Sequence, residues 1–195
     1  MLQHKGFVLR SYMPKKQKIS ILDESLGKIE ATYFQFGKMS QLSAGVLMCY
    51  YPLYRNSWYE LEQMVIYDMP FDIVRQDINF YHQVLELCYY FLPLNCAADD
   101  IFNLVQYLLG SAPIMQTNKQ KKLFLVRFFC ALGVYPEIDI PGYDSWDNLL
   151  SLPIDVMLKK TVKLSEEILE QWVLACLQTH PQNAHFKTMF RAYNA

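Results

Sequence analysis

Residues 18–36 read KISILDESLGKIEATYFQF, and this stretch decides the fold class. Two runs rich in β-branched and aromatic residues, beginning at Lys18 and Lys28, flank the turn-forming Asp23-Glu24-Ser25-Leu26-Gly27. The pattern is strand, turn, strand. In the second run Ile29, Ala31 and Tyr33 fall on one face, while Lys28, Glu30, Thr32, Phe34 and Phe36 fall on the other. That period of two marks a strand with one face in a core. On either side lie similar runs: GFVLR from Gly6, VLMCYYPLY from Val46 and WYELEQMVIY from Trp58, with Tyr12-Met13-Pro14-Lys15 as a further turn. Five strands at this spacing predict a small five-stranded β-barrel over residues 1–70.

After Pro70 the period changes. Val74, Ile78, Tyr81, Leu85, Cys88 and Leu92 follow at steps of three and four, the apolar stripe of a helix stopped by Pro93. A second helix carries Ile101, Leu104, Val105, Leu108 and Leu109, capped by Asp99 or Asp100 and stopped by Gly110 and Pro113. A third is expected over residues 119–132, opened by Asn118 and closed by Gly133. Further helices are expected over residues 146–152, over residues 154–161, and from a Ser165 cap to Thr179. The fold class is therefore α+β, with an all-α domain over residues 71–195 behind the barrel.

Composition narrows the function. With 52% hydrophobic and 19% charged side chains the chain must bury a core, unlike a disordered polymer. Its net charge of −1 excludes indiscriminate coating of nucleic acid or anionic lipid. The charge is unevenly placed, however. Residues 1–55 hold eight basic and three acidic side chains, a net +5, whereas residues 56–118 hold one basic and eight acidic, a net −7. The first twenty residues contain no apolar run of signal-peptide length, and the stretch from Ile101 to Asn118 is interrupted too often for a membrane span. Cys49, Cys88, Cys96, Cys130 and Cys176 show no metal-ligand spacing. All five are expected to be reduced core residues of a cytoplasmic protein, with no metal and no cofactor.

No nucleotide-binding glycine motif, nucleophile elbow or zinc-protease motif is present, and His4, His82, His180 and His185 have no sequence-local partner. A non-enzyme is expected. The basic, aromatic-rich head suits single-stranded nucleic acid, which needs cations along its phosphates and flat side chains under its bases. Arg10, Lys15, Lys16, Lys18, Lys28 and Lys38 are the candidate cations, and Tyr12, Tyr33, Phe34 and Phe36 the candidate platform. In the third helix Lys119, Lys121, Lys122 and Arg127 adjoin Phe124, a combination suited to capturing an acidic-hydrophobic peptide.

The order of pieces resembles the bacterial recombination-repair mediator RecO family. The resemblance is carried by Gly6-Phe7-Val8-Leu9-Arg10-Ser11, Ile19-Ser20-Ile21-Leu22, Leu26-Gly27-Lys28, Met48-Cys49-Tyr50-Tyr51-Pro52-Leu53-Tyr54 and the run from Lys122 to Asp139. The family's CxxC module has no counterpart after Pro136, and between Tyr33 and Met39 only Lys38 stands where many members are strongly basic. The chain would be a divergent member lacking zinc. The resemblance implies an OB-fold barrel on a helical domain, binding of single- and double-stranded DNA and annealing of complementary strands. It also implies docking on the C-terminal tail of single-strand-binding protein, and work with a RecR-like partner to assist recombinase loading. A reading from a different class is a barrel-plus-helices module that binds only protein, favoured by the acidic middle segment and the thinned basic patch.

Overall fold

The computed structural model describes residues 2–12, 18–33, 42–110, 116–136, 150–159, 165–181 and 185–186. They belong to two compact units, Met1–Gly110 and Ser111–Ala195.

The first unit is built on five strands, β1 (His4–Tyr12), β2 (Lys18–Asp23), β3 (Gly27–Tyr33), β4 (Leu47–Arg55) and β5 (Trp58–Asp68). They close into a barrel in the order β1-β2-β3-β5-β4, with β1 hydrogen-bonded back to β4. All neighbours are antiparallel except β3 and β5, which run parallel. This is an OB-type barrel. Inside it pack Val8, Ile19, Ile21, Ile29, Ala31, Tyr33, Met48, Tyr50 and Leu61. The expected alternation holds in β3, where Ile29, Ala31 and Tyr33 are buried and Lys28, Glu30 and Thr32 are partly exposed.

Two helices complete this unit, α1 (Phe71–Phe91) and α2 (Asp99–Gly110). Strand β1 is buried on both faces: Val8 points into the barrel, while its neighbour Phe7 meets Phe102 of α2 at 5.3 Å. From α1 the Tyr81 hydroxyl donates to the Gly45 carbonyl at 2.6 Å. The chain leaving α1 then returns to the β2–β3 hairpin, where the Asn95 amide donates to the Lys28 carbonyl at 2.8 Å. Gly27, at φ +71, lies so near this segment that a Cβ there would sit 1.7 Å from the Cys96 carbonyl oxygen. These contacts move the expected boundary from residue 70 to residue 110, because α1 and α2 bury their apolar faces on the barrel.

Helix α1 corrects a second expectation. Tyr81, Leu85 and Cys88 are buried as the stripe requires, but Ile78 is exposed and Ile73 is buried instead. Asp77 has non-helical backbone angles (φ −157°, ψ 85°) and its carboxylate accepts from the Phe80 amide at 2.9 Å. It caps a new segment, so the face before it follows a different phase.

The second unit contains α3 (Asn118–Ala131), α4 (Ile154–Lys159) and α5 (Glu166–Gln178). Helix α3 starts one residue earlier than expected, because Thr117 and Gln120 form a reciprocal capping box. Gly133 follows it with positive φ, and Ser165 caps α5, both as expected. Phe129 of α3 meets Trp172 of α5 at 6.3 Å. Of the helix expected over residues 146–152, residues 146–149 lie outside the described residues. Among the described residues no helix is long and apolar enough to cross a membrane. Cys49, Cys88 and Cys176 are buried, but Cys130 is half-buried and Cys96 is exposed, because the loop after Pro93 packs through its backbone.

Candidate nucleic-acid interface

Within the first unit, side chains from four strands and α1 form a continuous series in which cations alternate with aromatic rings. The Arg10 guanidinium lies 5.1 Å from the ring of Tyr12 and 5.3 Å from that of Tyr89. Tyr12 and Tyr89 are themselves joined hydroxyl to hydroxyl at 2.6 Å. Beyond Tyr12 the Lys18 ammonium sits 5.5 Å from its ring and 5.0 Å from the ring of Trp58. On the other side the Lys28 ammonium lies 5.6 Å from the ring of Tyr89. All these distances fall in the range of cation–π attraction.

Local structure explains the assembly. A bulge between Val8 and Arg10 re-aims β1, so that Arg10 is exposed although Val8, two residues earlier, is in the core. Lys18 opens β2 directly opposite Tyr12 of β1, and its ammonium pairs with Glu30 of β3 at 2.8 Å. Trp58 opens β5 after the two-residue turn Asn56-Ser57, whose φ angles of 46° and 72° are those of a tight hairpin turn. The hairpin therefore presents Tyr54 and Trp58, 65% and 49% exposed. Tyr54 also packs on Tyr59 at 5.1 Å, and Arg55 pairs with Glu60 at 3.5 Å.

The series is also electrostatically biased. Burial, then the hydrogen bond with Tyr89, pushes the Tyr12 hydroxyl well above the ordinary phenol range. Burial lowers the Lys28 ammonium from its ordinary value, and it donates to the Tyr89 carbonyl at 2.7 Å. Lys28 thus ties β3 to α1 more than it offers charge to solvent. Arg10 and Lys18 are the cations placed beside accessible rings.

Of the residues expected from sequence, the structure brings together Arg10, Tyr12, Lys18 and Lys28. Tyr33 belongs to the barrel core at 2% exposure and supplies no platform. Lys15, Lys16, Phe34, Phe36 and Lys38 lie outside the described residues. Sequence reasoning missed Tyr54, Trp58, Tyr59 and Tyr89. For the first three a signal existed, since Asn56-Ser57 between two aromatic strand ends marks a two-residue turn. Tyr89 had none, because the contact spans 77 positions.

The peptide-binding residues expected on α3 fare differently. Lys122 is held by Glu166 and Glu170 of α5 at 3.0 and 2.6 Å, Phe124 is fully buried beside Phe128, and Arg127 donates to the Leu150 carbonyl. These three build the second unit's interior contacts. Lys119 and Lys121 stand in the first turn, half-buried. The reason is that α3 is apolar on most of its circumference and is wrapped by its neighbours.

Among the described residues no group of three or more His, Cys, Asp or Glu side chains is arranged to hold a metal ion. No protein-family model matches the chain, and no curated protein matches it in sequence.

Proposed function

We propose that the first unit binds single-stranded DNA along the series Arg10, Tyr12, Lys18 and Trp58, without marked sequence preference and without catalysis. One observation carries the reading: cations alternate with partly exposed rings across the strands of an OB-type barrel. Phosphates need the cations and unpaired bases need the rings. Barrels of this topology commonly use the face of strands 2 and 3 and the loop joining strands 4 and 5 for such ligands. Trp58 stands at that loop. By resemblance, the same reading extends to duplex binding, strand annealing, docking on single-strand-binding protein and work with a RecR-like partner in recombinase loading, and so to DNA repair by recombination.

A labelled single-stranded oligonucleotide, titrated at two salt concentrations and followed by anisotropy, tests the proposal. Binding that weakens with salt, and weakens further in Trp58→Ala, supports it. No binding at about 50 mM salt would favour a barrel-plus-helices module that recognises only protein.

A further inference from the structure

The alternation of cations and rings does not stop at Trp58. On the β4–β5 hairpin Trp58 lies directly opposite Arg55, the last pair before the Asn56-Ser57 turn, and directly opposite residues of neighbouring strands share a face. That face is the outer one. Tyr59 packs against the barrel core and lies level with Ala31 of β3, so Trp58 and Glu60 on either side of it point outward, as Glu30 and Thr32 do in β3. Lys18 of β2 lies level with Thr32, and its ammonium joins the Trp58 ring to the ring of Tyr12, on which Arg10 also rests. From β1 across to β4 the outer face therefore presents Arg10, Tyr12, Lys18, Trp58 and Arg55, three cations with two rings between them.

Arg55 is also the cation least committed within the protein. Its side chain is 64% exposed, and its one ionic partner among the described residues is Glu60, reached through Nε at 3.5 Å. So long and exposed a pair is weak and readily exchanged. The two terminal nitrogens of the guanidinium remain available, and a guanidinium fork takes phosphate through paired N–H groups. Lys18 by comparison is held to Glu30 at 2.8 Å, and Lys28 donates to the Tyr89 carbonyl. We propose that Arg55 gives up Glu60 to bind a backbone phosphate of the single strand, next along the strand from the phosphate at Lys18, with the base between them stacked on Trp58. The smallest stretch that fills the face is then two stacked nucleotides bounded by three phosphates, at Arg10, Lys18 and Arg55. This assignment rests on the single-strand reading above and adds to it the far end of the path and a competing carboxylate, Glu60, that sets affinity.

The probe is a labelled oligothymidine of about twelve nucleotides, within the length an OB fold covers, titrated by anisotropy against the full chain over a series of salt concentrations. Arg55→Gln should lower the salt slope by about 0.7, whereas Arg55→Lys should keep the slope. Glu60→Gln should tighten binding by roughly two- to fivefold, the worth of the ion pair no longer broken, and clearly less so when Arg55→Gln is also present. Thermal melts confirm that each variant folds. An unchanged slope in Arg55→Gln, with oligonucleotide bound by wild type and the slope reduced in Lys18→Gln, overturns the role of Arg55 and leaves the single-strand reading standing. Equal gains from Glu60→Gln with and without Arg55 overturn it too, because Glu60 would then act on the DNA directly. No binding by wild type removes the single-strand reading and this assignment with it.

Discussion

Tyr12 at the end of β1 and Tyr89 near the end of α1 share a hydroxyl–hydroxyl hydrogen bond of 2.6 Å, with the Arg10 guanidinium lying against both rings. The bond anchors α1 to the strand that carries the candidate interface. Tyr12→Phe keeps the ring and removes the bond, so it should cost about 1 kcal/mol of stability while leaving oligonucleotide affinity nearly unchanged. Tyr12→Ala should weaken both. Urea unfolding and anisotropy on the two variants separate the effects.

Trp58 and Lys18 should divide DNA affinity into two kinds. Trp58→Ala removes a stacking surface and should lower affinity by about 1–3 kcal/mol at any salt concentration. On the proposed reading Lys18→Gln loses one phosphate contact and should reduce the salt slope by about 0.7. If both variants shift affinity equally with no change in slope, Lys18 serves only its ion pair with Glu30.

What could be read from sequence depended on the range of the interactions. The alternation of Ile29, Ala31 and Tyr33 is local and is realised in β3. So are the Ser165 cap and the apolar face around Tyr81, Leu85 and Cys88. The break at Asp77 was hidden, because nothing in a stripe of apolar residues shows where a carboxylate will leave the helix to cap the next segment. Long-range partners were hidden for the same reason. Tyr89 reaches Tyr12 across 77 positions and Lys122 reaches Glu166 across 44. The aromatic tip at Trp58 was legible in principle, but the basic run from Lys15 to Lys18 is the more conspicuous pattern and points to a different turn.

Alkali should destabilise the first unit more steeply than phenol counting suggests. Burial first, then the nearby charge and hydrogen bond of Asp23, pushes the Tyr50 hydroxyl well above its ordinary value. Burial does the same for Tyr81. Both groups keep their protons when folded and lose them near pH 10 when unfolded. Their contribution is therefore complete below about pH 10 and declines above it by about 1.4 kcal/mol per pH unit per group. Urea unfolding between about pH 8 and pH 11 checks this. Tyr50→Phe should be less stable at neutral pH, having lost its bond to Asp23, yet show a shallower alkaline decline.

The last prediction concerns Lys122, whose ammonium bridges two carboxylates one turn apart on α5, Glu166 at 3.0 Å and Glu170 at 2.6 Å. Burial opposes the lysine's charge, but the hydrogen bonds it donates to Glu170 and Glu166 outweigh it and raise its proton affinity above that of an ordinary lysine. Its side chain is only 12% exposed, whereas the two glutamates are 42 and 37% exposed, so solvent screens the pair and its net worth is modest. Lys122→Met keeps the packed stem and should cost about 1 kcal/mol. Lys122→Glu brings three carboxylates together between α3 and α5 and should cost clearly more. Adding Glu170→Lys to Lys122→Glu restores an opposite-charge pair and should recover most of the difference. Thermal unfolding of the three variants at low and high salt measures this. Equal losses in Lys122→Met and Lys122→Glu, with no recovery in the charge-swapped pair, would mean that Lys122 acts through packing alone.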